Sequence, residues 1–182
     1  MSEQSKSSCG LLCWLGFLMA IAVGVFLTVG SSKVIEATNT TEFCTSCHSM
    51  QWVKEEWMES AHYKNASGVR AECSDCHVPH ALGPKLYAKM MAAKDVWVEI
   101  MGTIDTEEKF EAHRWEMANR VWAKMEATDS RECRSCHEFN SMDLSEQEKL
   151  SRKKHKRAEE EGKTCIECHK GVAHEEPYEP YD

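Results

Sequence analysis

The sequence predicts a mostly α-helical protein with irregular loops, in which one N-terminal transmembrane helix precedes a polar domain built around bound groups and not around a large side-chain core. Three observations carry this prediction. Residues 11–30 contain no charged side chain, the rest of the chain lacks the alternating β-branched runs that strands require, and eight of the ten cysteines fall in four copies of one five-residue pattern.

The membrane segment comes first. Lys6 and Lys33 are the nearest charges on either side and leave 26 uncharged residues between them. About 20 residues at about 1.5 Å each cross about 30 Å of hydrocarbon, so the run can span a bilayer. The apolar part of a cleaved signal peptide is only about 7–15 residues and ends at a small-residue cleavage site, so a retained anchor is expected. Cys9 and Cys13, at its start, read as small apolar residues without function.

Beyond the anchor, apolar residues recur at helical intervals. Met50, Val53, Trp57 and Ala61 mark one stripe, and Pro84 opens a second with Leu86, Met90, Ala93, Trp97 and Ile100 on one face. A third helix is expected over Thr106–Ala127, with Phe110, His113, Met117, Val121 and Met125 in line. The Trp and Met stripes read as surfaces that pack on neighbouring helices and on the bound groups. A fourth, strongly charged helix is expected to start at Ser145, which has capping-box spacing to Glu148, and to stop at Gly162.

Lys and Arg number 22 against 30 Asp and Glu, a net charge of −8 that argues against a nucleic-acid partner. The cluster Arg152, Lys153, Lys154, Lys156 and Arg157 is followed by Glu159, Glu160 and Glu161, so it reads as a self-compensated solvated face before it reads as a patch for an acidic partner.

The repeated pattern carries the chemistry. Cys44, Cys47 and His48 form the first copy, Cys73, Cys76 and His77 the second, Cys133, Cys136 and His137 the third, and Cys165, Cys168 and His169 the fourth. Each is C-x-x-C-H. Two thiols three residues apart match the two vinyl groups of a haem, and the next histidine presents its imidazole to the iron. Paired C-x-x-C zinc sites need no histidine at that fixed place, and a disulfide scaffold leaves the histidines unexplained. Four covalently attached c-type haems are therefore expected. Such haems are attached outside the bacterial cytoplasm, which orients the chain: a short cytoplasmic N-terminus (1–10), the anchor (11–32), a periplasmic tetrahaem domain (33–175) and an acidic tail (176–182). The expected location is the bacterial inner membrane, single-pass.

The copies begin at 44, 73, 133 and 165, two close pairs with a longer connection, and each pair holds one further histidine inside it and one after it. The domain thus reads as two dihaem halves. So little apolar sequence predicts that the haem-free chain does not fold. Five histidines lie outside the motifs, His62, His80, His113, His155 and His174, against four irons. His113 sits mid-helix and is left out. In the first motif Met50 follows His48 by two residues, so either Met50 or His48 serves that iron.

These residues resemble the NapC/NirT family of membrane-anchored tetrahaem quinol dehydrogenases, and fit its NapC- and CymA-like members best. The likeness runs from the membrane helix to about His174 and is carried by Ser67 to Ala71 before the second motif, Cys76 to His80, Gly102 to Ile104 with Phe110 to Arg114, and Gly162 to His174 around the fourth motif. The resemblance implies an unusual, partly open coordination at haem 1, nearest the membrane, with Met50 as its ligand in the NrfH-like arrangement and His48 as the alternative. It implies His62, His155 and His174 as distal ligands of haems 3, 4 and 2, beside the motif ligands His77, His137 and His169. It maps a quinol-site lysine and acid onto Lys89 and Asp95, and leaves His80 as a possible ligand or quinol-site group.

The function implied is oxidation of menaquinol or ubiquinol, with electrons passing through four haems to a periplasmic reductase or carrier such as nitrate reductase in anaerobic respiration. A homodimer is compatible with it. Two rivals stand beside it: a tethered electron relay without its own quinol site, and a haem nitrite or hydroxylamine reductase.

Overall fold

The computed structural model describes residues 4–180, with side chains from Gly10 onward. The ends of the expected N-terminus and acidic tail, and the side chains of Lys6 and Cys9, lie outside the described residues. The described residues are helical and irregular, without a strand. They divide into two units, one up to Thr40 and one from Thr41 onward.

The first unit is α1, Gln4–Ala37. Its stretch Gly10–Ala37 is 28 residues long with a mean hydropathy of 2.4, and its apolar side chains are exposed all round, as in a helix made for lipid. It runs five residues past the expected end at 32, carrying a surface pair between Lys33 and Glu36 at 2.7 Å.

In the second unit short helices carry all or part of the first three haem motifs, a turn carries the fourth, and longer helices lie between them. The order is α2 Thr41–Cys44, α3 Met50–Glu59, α4 Cys73–His77, α5 Leu82–Ile100, α6 Glu107–Ala127, α7 Arg131–Arg134, a 3₁₀ turn Phe139–Ser141, and α8 Lys149–Glu160. Thr106 caps α6 by accepting from Lys109 N at 3.3 Å. The buried stripe of α6 is Phe110, Arg114 and Trp122, one residue round from the one expected, so His113 is exposed and its ring contacts Lys109 O at 2.8 Å. Pro84 falls inside the first turn of α5, where its missing N–H breaks no helix bond.

The expected capping box at Ser145 does not form. Asp143 Oδ1 accepts from both Ser145 N (2.8 Å) and Ser145 Oγ (2.5 Å), a local turn that competes with the helix, and α8 starts four residues later at Lys149. Its end is as expected. Gly162, at φ 64°, lets Lys163 N reach Ala158 O at 2.9 Å and Gly162 N reach Glu159 O at 3.2 Å, the paired bonds of a left-handed C-cap.

The side-chain core is thin. Only Trp57, Ile104, Phe110, Trp122 and Ile166 are buried large apolar residues among those described, so the haems must supply the rest of the apolar interior. An ion-pair cluster crosses the unit beside them. Arg114 contacts Glu56 at 2.6 Å and Glu111 at 2.8 Å and donates to Glu175 O at 2.9 Å, while Glu56 also accepts from Glu175 N at 2.9 Å.

Candidate haem centres

The last three motifs each turn on backbone bonds that link the first cysteine to the histidine. In the third motif His137 N reaches Cys133 O at 2.8 Å, in the fourth His169 N reaches Cys165 O at 2.9 Å, and the second forms the single turn α4.

The motifs meet in chain order. The first and second join through α2 against α4, where Glu72 accepts from Thr41 Oγ1 and the Cys44 and Cys73 side chains are hydrogen-bonded. The second and third join through α4 against α7. The third and fourth are tied by Ser130, fully buried, whose Oγ accepts from Ile166 N at 3.1 Å. Asp129 and Ser130 hold the left-handed backbone at φ 52° and 47°, a cost that non-glycine residues bear only where packing demands it.

Histidine rings come together in three pairs. His62 faces His137 with ring centres 6.1 Å apart, His174 faces His77 at 6.2 Å, and His155 faces His169 at 5.9 Å. An iron bound by a ring nitrogen on each side at about 2 Å, with each ring centre about 1 Å beyond its nitrogen, sets two imidazoles about 6 Å apart, so these pairs have the spacing of axial ligands. The non-motif rings are also anchored at the nitrogen that faces away. His62 Nδ1 meets Val172 O at 3.2 Å, His174 Nδ1 meets Val53 O at 3.1 Å, and His155 Nδ1 meets Gln147 Oε1 at 2.6 Å. Each acceptor selects the tautomer that leaves Nε2 bare for a metal.

Burial pushes His77 down to about 4, with the facing His174 adding to it, and burial likewise lowers His174. The neutral ring that this lowering favours is the form that binds metal. His77 nevertheless keeps an exposed side. Glu56 lies 3.9 Å from His174 Nδ1, so the Arg114 cluster backs this pair.

The stretch after the fourth motif serves two centres at once. Gly171 turns it at φ 72°, sending Val172 O to His62 and the His174 ring to His77. The pairs therefore cross the two halves seen in the sequence. Only His155 and His169 belong to the same half.

The first motif is different. His48 meets Trp52, with ring centres 5.5 Å apart, and faces no second histidine among the described residues. Met50 follows as the first residue of α3. Ser49 between them is buried, and Glu99 of α5 accepts from its N at 3.3 Å and its Oγ at 2.5 Å. Lys89, on the same helix, lies near Cys44, and burial lowers its pKa. Asp95 is exposed one turn before Glu99. His80 is exposed and lines a cavity of about 510 Å³ with Thr128, Asp129, Arg131 and Arg134, facing no other ring.

Sequence reasoning missed Gln147, Glu56 and Glu99. Nothing in their spacing marks them, because each acts through a fold contact and two of the three non-motif rings are held by backbone carbonyls.

Comparison with known proteins agrees with this chemistry. The family described as NapC/NirT cytochrome c family, N-terminal region, matches residues 4–179. A tetrahaem c-type cytochrome of Allochromatium vinosum is 57% identical over 182 residues, 100% of this chain and 99% of that protein. The cytochrome c-type protein NapC of Escherichia coli K12 is 46% identical over 174 residues, 95% of this chain and 85% of NapC. Among solved structures, the cytochrome c nitrite reductase NrfHA complex bound to the inhibitor HQNO has a chain of like fold, with a TM-score of 0.52 at 24% identity, covering 87% of this chain and 90% of that one. The membrane-anchoring helix, the four haem motifs and these relatives together identify an electron-transfer cytochrome with covalent c-type haems, and the chain belongs to the NapC/NirT family.

Proposed function

We propose that the protein is a membrane-anchored quinol dehydrogenase that oxidises menaquinol or ubiquinol at the first motif and delivers electrons to a periplasmic reductase, nitrate reductase being one candidate. The observation that carries this reading is the asymmetry of the motifs: three end in a histidine that faces another, and the first does not. A centre closed on both sides by imidazole can only pass electrons, whereas one with an open side leaves room for a substrate beside it.

Cys44, Cys47, Cys73, Cys76, Cys133, Cys136, Cys165 and Cys168 hold the haems, which supply one-electron acceptors in contact order. His77 with His174, His137 with His62, and His169 with His155 ligate haems 2, 3 and 4. Met50 ligates haem 1, with His48, which meets Trp52, as the alternative. Quinol oxidation releases two protons with its two electrons, so the site needs a base beside the acceptor. Asp95, exposed to solvent, takes the two protons in turn and passes each to water, and Lys89, beside Cys44, donates a hydrogen bond to the quinol oxygen as negative charge develops there. The name NapC borne by one relative supports a nitrate reductase as partner.

The test is anaerobic mixing of the detergent-solubilised protein with a reduced menaquinone analogue while haem absorbance is followed. Fast partial reduction, slowed in Asp95→Asn and Lys89→Ala, is expected. If dithionite reduces all haems but quinol none, and both variants match the parent, the quinol site is lost and a relay fed by another protein is the better account.

A further inference from the structure

α5 carries its amphipathicity inside out. The side that touches the rest of the unit is charged at its centre: Lys85, Lys89 and Glu99 are partly covered, as are Ala88 and Val98, with Lys89 near Cys44 and Glu99 on Ser49. The opposite side, at steps of three and four residues, is Leu86, Met90, Ala93, Trp97 and Met101. All are exposed, Met90 by 68%, Trp97 by 62% and Met101 by 60%, with Leu82 and Ile100 at their edge at 66% and 70%. α5 has no buried residue at all, whereas α6, of similar length in the same unit, buries three.

A haem does not account for this face. Lys89 and Glu99 fix which side of α5 lies against the first motif, and the apolar stripe is on the other. Among the described residues the stripe is not covered by a neighbouring helix.

We propose that the outward face of α5 is a bilayer-binding surface, seated in the interfacial layer of the membrane in which the chain is anchored. The composition is that of an interfacial helix, with Leu, Met, Trp and a flanking Tyr87 on the apolar side. Lys94, exposed at the margin of the stripe, suits an anionic headgroup. The tether makes the bilayer the apolar phase within reach, since α1 ends at Ala37 and the haem unit begins at Thr41, with only residues 38–40 between them. For the quinol reading, on which this consequence rests, the seat places the helix that bears Lys89 and Asp95 at the depth where a lipid-soluble quinol resides.

The test uses the full-length holoprotein at one copy per nanodisc of phosphatidylcholine and phosphatidylglycerol, doped with a phospholipid bearing a photoactivatable carbene precursor on its acyl chain. Labelled peptides are mapped by mass spectrometry. Label on α5 at a yield comparable with α1 and several-fold above α6 and α8 is expected. Met90→Glu combined with Trp97→Glu should cut the α5 label several-fold with the haem spectrum and α1 label unchanged, and Met90→Leu should keep it. Label confined to α1 overturns the proposal. So does an α5 that stays unlabelled but gains amide protection when a second copy or a soluble reductase is added, since the face then belongs to a protein. Quinol turnover is not read: a labelled α5 without quinol oxidation removes only the quinol reading, and rapid oxidation with an unlabelled α5 removes only the bilayer seat.

Discussion

The first motif and the three that follow share one five-residue chemistry and differ in what the fold puts opposite it. His77, His137 and His169 each face a second imidazole at 5.9–6.2 Å, and that imidazole is pinned through Nδ1. His48 meets an indole, and around it stand Met50, a serine held by Glu99, and a helix with its charged side inward. Identical attachment thus leaves the protein free to decide, by second-side packing alone, which centres store charge and which are accessible.

The sharpest way to break the comparison is to open a closed centre. His62→Ala removes the ring facing His137, and one low-spin haem should become high-spin by electron paramagnetic resonance, with electron delivery to an artificial acceptor nearly abolished. An unchanged low-spin count would mean another group closes that iron. Next in size is Arg114→Ala. It leaves the partly buried Glu56 without its cation beside His174, a change worth about 1–3 kcal/mol, and should appear as a lower melting temperature of the holoprotein together with a shifted haem 2 potential.

A smaller effect separates the candidates at the open end. Met50→Leu should alter the haem 1 spectrum and leave the other three untouched, whereas His48→Ala should leave all four nearly as they are; the reverse outcome would return the ligand role to His48. The smallest expected change is at Gln147, the one side-chain acceptor among the three ring anchors. Gln147→Leu should raise the haem 4 potential slightly and Gln147→Glu should lower it, because a stronger acceptor at Nδ1 makes the ring a better donor to iron; redox titration with haem-resolved spectra decides.

What could be read from the sequence follows from where each constraint lies. The haem motifs are legible because two thioethers and a ligand fix the spacing locally, and α1 is legible because a bilayer demands an uncharged run of set length. The cap of α6 at Thr106 and the stop of α8 at Gly162 were equally local. The start of α8 was not, since Asp143 and Glu148 both offer Ser145 a partner and only the fold chooses. Periodicity found the stripe on α5 but carries no sign, so it could not say that the stripe faces outward. Distances between rings far apart in the chain, such as His77 and His174, are absent from sequence altogether.

The crossing of histidine pairs between the halves also has a temporal side. A chain made from its N-terminus presents His77 long before His174, and His62 long before His137. With His174 as its second ligand, haem 2 waits with one side open until the segment beyond the fourth motif is delivered, and the same segment brings the carbonyl that steadies His62. On the proposed ligand set, a chain truncated before Val172 carries all four attachment motifs and still lacks the clasp that finishes its middle two.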